Sequence, residues 1–174
     1  MTRADAWIVG VDLSTRQIDA AAIPAAPAPV DAPRLARRPI RNAKPLDPAA
    51  RAVDAGLALR AAIVALDLGP RVAAIGIENP IGPFRGADRA LLPILGALTM
   101  AAWPIPVAWY WPNEWREILG ATGAASQTKP GGHARLEALY PDALEGLDEH
   151  GLDAFGVAVA HRRIIDHHDR RAGP

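Results

Sequence analysis

Apolar and polar positions alternate along the first forty residues as they do in the strands of a sheet. The stretch "WIVGVDLSTRQIDAAAIP", residues 7–24, contains a β-branched apolar run, a group of turn-forming residues and a second apolar run. A Pro/Ala connection at 24–33 leads to a further strand pattern around 34–41. The pattern therefore predicts an antiparallel meander of three strands.

The rest of the chain alternates between helical and strand patterns. A helix is predicted from the capping residue Asp47 to a stop at Gly69, and a short strand ends at Glu78, just before Asn-Pro. Further elements follow in this order: a helix at 86–102, a strand at 105–110, helices at 112–119 and 132–140, and a last helix from Glu149 to Asp169. This order of elements predicts a mixed α/β sheet flanked by helices.

Composition narrows the classes of protein to consider. The chain has 174 residues, half of them apolar, which predicts one domain over 1–174 with a full core. It has no cysteine, which excludes disulfides, a thiolate nucleophile and a cysteine-based zinc site, and which fits a reducing cytoplasm. The 19 basic and 19 acidic residues cancel, so any binding of nucleic acid must come from local patches.

An uncharged stretch at 90–113 is long enough to suggest a membrane span. Three prolines interrupt it: Pro93, Pro104 and Pro106. Because of these breaks, the pattern favours an apolar helix that turns into a buried strand. The N-terminus does not resemble a signal peptide, since Asp5 and Asp12 interrupt its apolar run. We therefore expect a cytoplasmic protein without a membrane partner.

Carboxylates occur at the ends of two predicted strands, Asp12 after the first and Glu78 after the fourth. The last helix begins with "DEHGLDAFGVAVAH", in which His150 and Asp153 are three residues apart and share a face. If the two strands are neighbours, Asp12 and Glu78 face each other. Two negative charges at such a short distance repel each other unless a cation lies between them. Carboxylates with an imidazole suit Mg²⁺ or Mn²⁺, and two such ions can promote cleavage of a phosphodiester.

Each of these residues, taken singly, also fits a purely structural role. Asp12 is a common turn former, Glu78 fits a solvated strand end, and His150 fits a helix cap. Glu149 is a rival ligand one residue before His150, and Lys129 fits an ordinary loop lysine. Taken together, the carboxylates favour a metal site.

The order of these motifs resembles that of the RuvC-like Holliday-junction resolvases of the ribonuclease H superfamily. The resemblance runs from "IVGVDLSTR" through "AIGIENP" and "VAWYWPNEWREILGATGAASQTK" to "HGLDAFGVAVAH". It implies a ribonuclease H-like mixed sheet, in which a three-stranded antiparallel meander is joined by parallel strands and flanked by helices. It also implies a Mg²⁺-dependent endonuclease, with Mn²⁺ as a substitute, that cleaves four-way DNA junctions. A homodimer is expected, with the helix at 86–102 at its interface.

The resemblance also assigns site residues. Four residues match the metal ligands of the family, with histidine where most members have a fourth carboxylate: Asp12, Glu78, His150 and Asp153. Lys129, in "SQTKPGGH", matches a loop lysine of the family, which implies a contact with phosphate or the leaving group. Ile81 and Phe84 lie near the place of an aromatic wedge that stacks on a junction base, although Phe84 is displaced from the usual spacing.

Candidate DNA contacts lie outside the acidic residues. Two basic segments, "RLARRPIRNAK" at 34–44 and "HRRIIDHHDRR" at 161–171, fit either phosphate contacts or a solvated surface. Ser14, Thr15 and Arg16 follow the first acid and are candidates to contact a phosphate. Four tryptophans are more typical of a core than of a base-stacking platform: Trp103, Trp109, Trp111 and Trp115.

Other functions fit parts of the pattern. The same kind of site would serve a ribonuclease H-like nuclease acting on RNA or flap substrates, since fold does not determine substrate. A non-catalytic junction-binding protein would keep the basic segments without needing all the predicted ligands. "GVDLST" also resembles the first phosphate loop of sugar kinases and actin-like ATPases. That fold needs two such domains, which 174 residues with one such loop do not supply.

Overall fold

A computed structural model describes residues 2–14, 16–27, 29–30, 32–41, 47–79, 88–124 and 128–173. It contains a mixed sheet of five strands with helices on both faces. The strands are β1 (Trp7–Leu13), β2 (Gln17–Pro24), β3 (Arg34–Pro39), β4 (Val72–Glu78) and β5 (Val107–Tyr110). The α-helices are α1 (Pro48–Ala65), α2 (Asp88–Ala102), α3 (Pro112–Ile118), α4 (Lys129–Leu139) and α5 (Glu149–Ala172).

The strand order is β3-β2-β1-β4-β5. Strands β1 to β3 form an antiparallel meander in which Asp12 lies opposite Asp19, while β4 and β5 continue the sheet as parallel strands beside β1. The predicted mixed sheet is thus confirmed. The turn between β1 and β2 is closed by Ser14, whose Oγ accepts hydrogen bonds from the backbone N–H groups of Arg16 and Gln17. Asp12 is therefore not the residue that forms this turn.

Side-chain alternation along the strands divides the core between the two faces of the sheet. On one face, residues such as Val9 and Ile75 form a cluster with the apolar residues of α1 and α2. On the other face, Ile8 belongs to the cluster that includes α5, and Gly10 and Asp12 also contact that helix. The alternation of β1 therefore places Asp12 on the face that α5 covers.

Two glycines allow α5 to lie close against the sheet. Gly10 and Gly76 are neighbours in the register of β1 and β4. A Cβ on Gly10 would lie 2.1 Å from the carbonyl oxygen of Ala154, and one on Gly76 would lie 3.0 Å from Cγ1 of Val157. This close approach brings the first turns of α5 to the strand ends where the acids lie.

The predicted helix after Asp47 is confirmed as α1, but it ends at Ala65 and not at the predicted stop, Gly69. The Asp47 side chain accepts hydrogen bonds from the backbone N–H groups of Ala49 and Ala50, and Pro48 occupies the first turn. The segment at 90–113 divides into α2, β5 and the beginning of α3, with Pro104 and Pro106 between α2 and β5. Pro93 does not break the segment as predicted, because it lies inside α2. Among the described residues, no helix is both long and apolar enough to cross a membrane.

The predicted start of α4 is wrong. The helix begins at Lys129 rather than near residue 132, so Lys129 belongs to a helix and not to a loop. Thr128 caps the helix by accepting a hydrogen bond from the backbone N–H of Gly131, and Pro130 lies in the first turn, where its missing N–H costs nothing. These capping residues outweigh the low helix propensity of the two glycines that follow.

Candidate metal centre

Three carboxylates from three elements meet at one edge of the sheet. Asp12 is near the end of β1, Glu78 is the last residue of β4, and Asp153 lies in the second turn of α5. One oxygen from each lies within 4.8 Å of the others. The parallel register, in which Val11 pairs with Ile77, carries Asp12 and Glu78 to the same edge. The structure thus brings together the three acids that the sequence analysis proposed as ligands.

His150 joins this cluster through Asp12. Its Nδ1 lies 2.6 Å from Oδ2 of Asp12. It does not cap α5, because the capping residue is Asp148, which accepts a hydrogen bond from the backbone N–H of Gly151. His150, Asp12 and Asp19 also form a second group whose ligand atoms lie within 4.8 Å of one another. Asp19 was not among the predicted site residues, although pairing of β1 with β2 places it opposite Asp12.

Arg37 connects this second group to the beginning of α5. Its guanidinium forms ion pairs with Asp19 and with Asp148. Gln17 also donates a hydrogen bond to Asp19, at 2.8 Å. Arg37 was a candidate for phosphate contact in the first basic segment, but in this structure it ties β2 and β3 to the helix that carries the site.

Asp153 is partnered by two side chains of α4. Nζ of Lys129 lies 2.6 Å from Oδ2 of Asp153 and 2.7 Å from Oε1 of Glu149, while Nε2 of His133 lies 2.9 Å from Oδ1 of Asp153. Burial alone raises the pKa of Asp153, but hydrogen bonds from His133 and Lys129 outweigh it and hold the pKa below its ordinary value. Glu149, the rival ligand, pairs with Lys129 and belongs to neither group of ligand atoms.

Trp115 is a partner of Glu78 that sequence analysis did not identify. The side chain is fully buried, as expected of a core tryptophan, and its Nε1–H donates a hydrogen bond of 2.9 Å to Oε2 of Glu78. The available signal was chemical, since a buried indole N–H needs an acceptor. Trp103 and Trp111 differ from the core expectation, because 76% and 41% of their surfaces are exposed.

Two of the carboxyl groups hold their protons more tightly than usual. Burial, together with the charges of Asp153 and Asp12, raises the pKa of Glu78 from 4.5 to about 7. Burial also raises the pKa of Asp12 to about 6, against the lowering effect of its hydrogen bond with His150. Raised carboxyl pKa values of this kind indicate a site where too little positive charge lies near the carboxylates to stabilise their ionised form. A cluster of carboxylate oxygens with one imidazole nitrogen beside it therefore fits a hard divalent cation.

The raised pKa of Glu78 leads to a stability prediction for the metal-free protein. The pKa of Glu78 in the folded state is above its ordinary value of 4.5. The free energy of unfolding therefore decreases as pH rises from about 4.5 to about 7 and Glu78 loses its proton. Glu78→Gln keeps an acceptor for Trp115 without the charge. Without metal, we expect the variant to be more stable than the wild type at about pH 8, by on the order of 1 to 3 kcal/mol, with a smaller difference at about pH 5.

Urea unfolding of both proteins in EDTA at the two pH values measures this difference. Added Mg²⁺ is expected to stabilise the wild type and to stabilise the variant much less. A difference in unfolding free energy that is the same at both pH values would contradict this account of the Glu78 environment.

The arginines of the two basic segments divide between internal and surface roles. Arg34 and Arg162 donate hydrogen bonds to backbone carbonyl groups. Arg38 and Arg41 line the same surface hollow, and Arg16 is exposed in the turn after β1. Four candidates lie outside the described residues: Thr15, Lys44, Ile81 and Phe84. The proposed wedge therefore stays a prediction.

The fold of the chain is RuvC-like. The structure described as "T. thermophilus RuvC in complex with Holliday junction substrate" matches with a TM-score of 0.65 at 16% sequence identity, covering 93% of this chain and 96% of that chain. The structure of RuvC from Thermus thermophilus alone matches with a TM-score of 0.64 at 19% identity and the same coverage. No protein-family model matches the sequence, and no curated protein does. The expected ribonuclease H-like sheet is confirmed.

Proposed function

We propose that this protein is a divalent-metal-dependent endonuclease that resolves four-way DNA junctions as a homodimer. The observation that carries the proposal is the meeting of Asp12, Glu78 and Asp153 at one edge of a RuvC-like sheet. Further support comes from the neighbouring RuvC structure, which is of that protein in complex with a Holliday junction substrate. At this level of similarity, the fold supports a nuclease that acts on branched DNA, and the specific reaction is our proposal.

The residues of the site divide into ligands and a phosphate contact. Asp12, Glu78 and Asp153 would hold Mg²⁺ or Mn²⁺, and His150 would complete the ligand set beside Asp12. A divalent cation at such a site lowers the pKa of a bound water and stabilises the leaving oxygen of a phosphodiester. Lys129 lies 2.6 Å from Asp153, so its ammonium group is also placed to contact a phosphate bound at the carboxylates.

Exposed basic residues would contact the DNA backbone away from the carboxylates. Arg16 lies in the turn that directly follows β1, the strand that carries Asp12. Arg41 on the first segment and Arg170 and Arg171 near the end of α5 are also exposed. Because such contacts release counterions, we expect the affinity for junction DNA to fall as salt concentration rises.

Exposed apolar side chains on α1 and α2 support the homodimer. Leu57 and Val64 on α1, and Leu92 and Met100 on α2, each expose more than half of their surface. The two helices pack against each other. Exposed apolar side chains of this kind are typical of interaction surfaces, and the two-fold symmetry of a four-way junction calls for two active sites.

A comparison of substrates tests the proposed reaction. Labelled four-way, three-way, flap and linear DNA and an RNA–DNA hybrid are incubated with the protein in Mg²⁺, Mn²⁺ or EDTA. We expect paired nicks in the four-way junction with either metal, no cleavage in EDTA, and weak cleavage of linear duplex. Light scattering of the same preparations is expected to give the mass of a dimer.

Each alternative has its own outcome in this experiment. Preferred cleavage of the RNA–DNA hybrid or of the flap would replace junction resolution with a different ribonuclease H-like activity. Tight junction binding without cleavage in either metal would favour the non-catalytic protein. A monomeric mass with and without junction DNA would contradict the homodimer.

A further inference from the structure

Both oxygens of Asp153 are held by side chains of a single helix, α4. Lys129 contacts Oδ2 at 2.6 Å and His133 contacts Oδ1 at 2.9 Å. The two residues are four apart on α4 and therefore lie on the same helix face. The Asp153 side chain is only 3% exposed, so these contacts replace the water that an exposed carboxylate would bind.

Lys129 and His133 have different effects on the binding of a cation at Asp153. An ammonium group repels a divalent cation at the same carboxylate, so Lys129 has to release Asp153 when the cation binds, which leaves its ammonium group free to contact a phosphate at the site. An imidazole N–H need not move, because each carboxylate oxygen has two lone pairs and can accept a hydrogen bond while it ligates a metal. His133 Nε2 must be the donor here, because an ionised carboxylate only accepts.

Lys129 has a second anchor and space into which it can move. It also contacts Glu149, whose side chain is 64% exposed. Lys129 and His133 both border a cleft of about 710 Å³ between α4 and the segment that leads into α5. The ammonium group can therefore leave Asp153 without repacking the core, whereas the His133 side chain is only 19% exposed and more constrained.

We propose that His133 is a positioning residue that orients Asp153 for the metal, and that Lys129 is an internal counter-ion that the metal displaces. The inference rests on the metal site of the proposed function and adds two opposite roles on α4. Partners that orient a metal ligand typically contribute about 10- to 100-fold to metal affinity. Removing a competing cation such as the Lys129 ammonium group is expected to raise metal affinity instead.

Binding of Mn²⁺ to the full-length, DNA-free protein tests both roles. Isothermal titration calorimetry at about pH 8 gives the dissociation constant for the wild type, His133→Leu, His133→Gln and Lys129→Met, with thermal unfolding in EDTA as the check on folding. We expect His133→Leu to weaken binding by about 10- to 100-fold. His133→Gln, in which the amide nitrogen replaces the imidazole donor, is expected to restore most of the lost affinity. Lys129→Met is expected to tighten binding by roughly 2- to 10-fold.

The opposite signs and the rescue by glutamine separate positioning from mere packing. If His133→Leu binds Mn²⁺ as tightly as the wild type, or if His133→Gln binds no better than His133→Leu, the positioning role is wrong. If Lys129→Met binds more weakly than the wild type, Lys129 is not a competitor. A wild type that binds no Mn²⁺ would instead remove the metal site itself, and both the proposed function and this inference with it.

Discussion

Asp12→Asn is expected to reduce junction nicking by on the order of 10²- to 10³-fold or more, while the protein stays folded and still binds junction DNA. Asparagine keeps the size of the side chain and an acceptor for His150, but it removes the charge that a divalent cation requires. The β1–β2 turn is closed by Ser14, so it is unaffected. Junction affinity in Ca²⁺ and nicking in Mg²⁺, measured on the same preparations, separate binding from cleavage.

The stability of the Asp12 variant gives an independent check. The pKa of Asp12 is raised from 3.8 to about 6, so the ionised carboxylate destabilises the metal-free fold as pH rises through that value. Without Mg²⁺, the melting temperature of Asp12→Asn above pH 6 is therefore expected to be unchanged or higher. Asp5→Asn, on the short turn before β1, serves as the matched control and is expected to nick normally. Near-wild-type nicking by Asp12→Asn would end the metal-site hypothesis.

Gly10→Ala is expected to destabilise the protein by about 3 kcal/mol or more. The new methyl group would lie 2.1 Å from the carbonyl oxygen of Ala154 and 2.3 Å from the backbone nitrogen of Ala158. Both are backbone atoms, so no change of rotamer relieves the overlap and α5 has to move away from the sheet. Because α5 carries Asp153, the molecules that still fold are expected to bind metal more weakly.

Denaturant unfolding of Gly10→Ala, together with Mn²⁺ titration of the folded fraction, measures both effects. Gly96→Ala is the matched control, because Gly96 lies in the interior of α2 with nothing within 4 Å of an added Cβ. That substitution is expected to leave the free energy of unfolding unchanged or to raise it by about 0.5 to 1 kcal/mol. It is a control for unfolding only, because α2 is part of the proposed dimer interface. A Gly10→Ala protein as stable as the wild type would show that α5 does not depend on this close contact.

Much of the fold was predictable because its signals are local. Turn-forming residues between two apolar runs indicate the β1–β2 hairpin, and Asp47 followed by proline indicates the start of α1. The start of α4 was predicted too late, although Thr128 and Pro130 are a cap and a first-turn residue of the ordinary kind. The two glycines after Pro130 obscure that signal because their helix propensity is low, whereas in the structure the cap outweighs them.

The candidate site was predictable in part. Asp12, Glu78 and Asp153 stand out in sequence because each is a carboxylate beside an apolar run, and the structure brings them together. His133 and Trp115 do not stand out, since a helix histidine and a core tryptophan are common. Their contacts with Asp153 and Glu78 depend on where α4 and α3 lie relative to the sheet.

The sequence by itself determined which acids end the strands and, through side-chain alternation, that Gly10 and Asp12 share one face of β1. Only the tertiary structure decided which helix covers that face, how closely it approaches and which side chain partners each acid. Asp12 and His150 are 138 residues apart in the chain, and their 2.6 Å contact depends on the close packing of α5 against Gly10 and Gly76. Local propensity and periodicity do not encode such long-range contacts, because these arise from packing between whole elements.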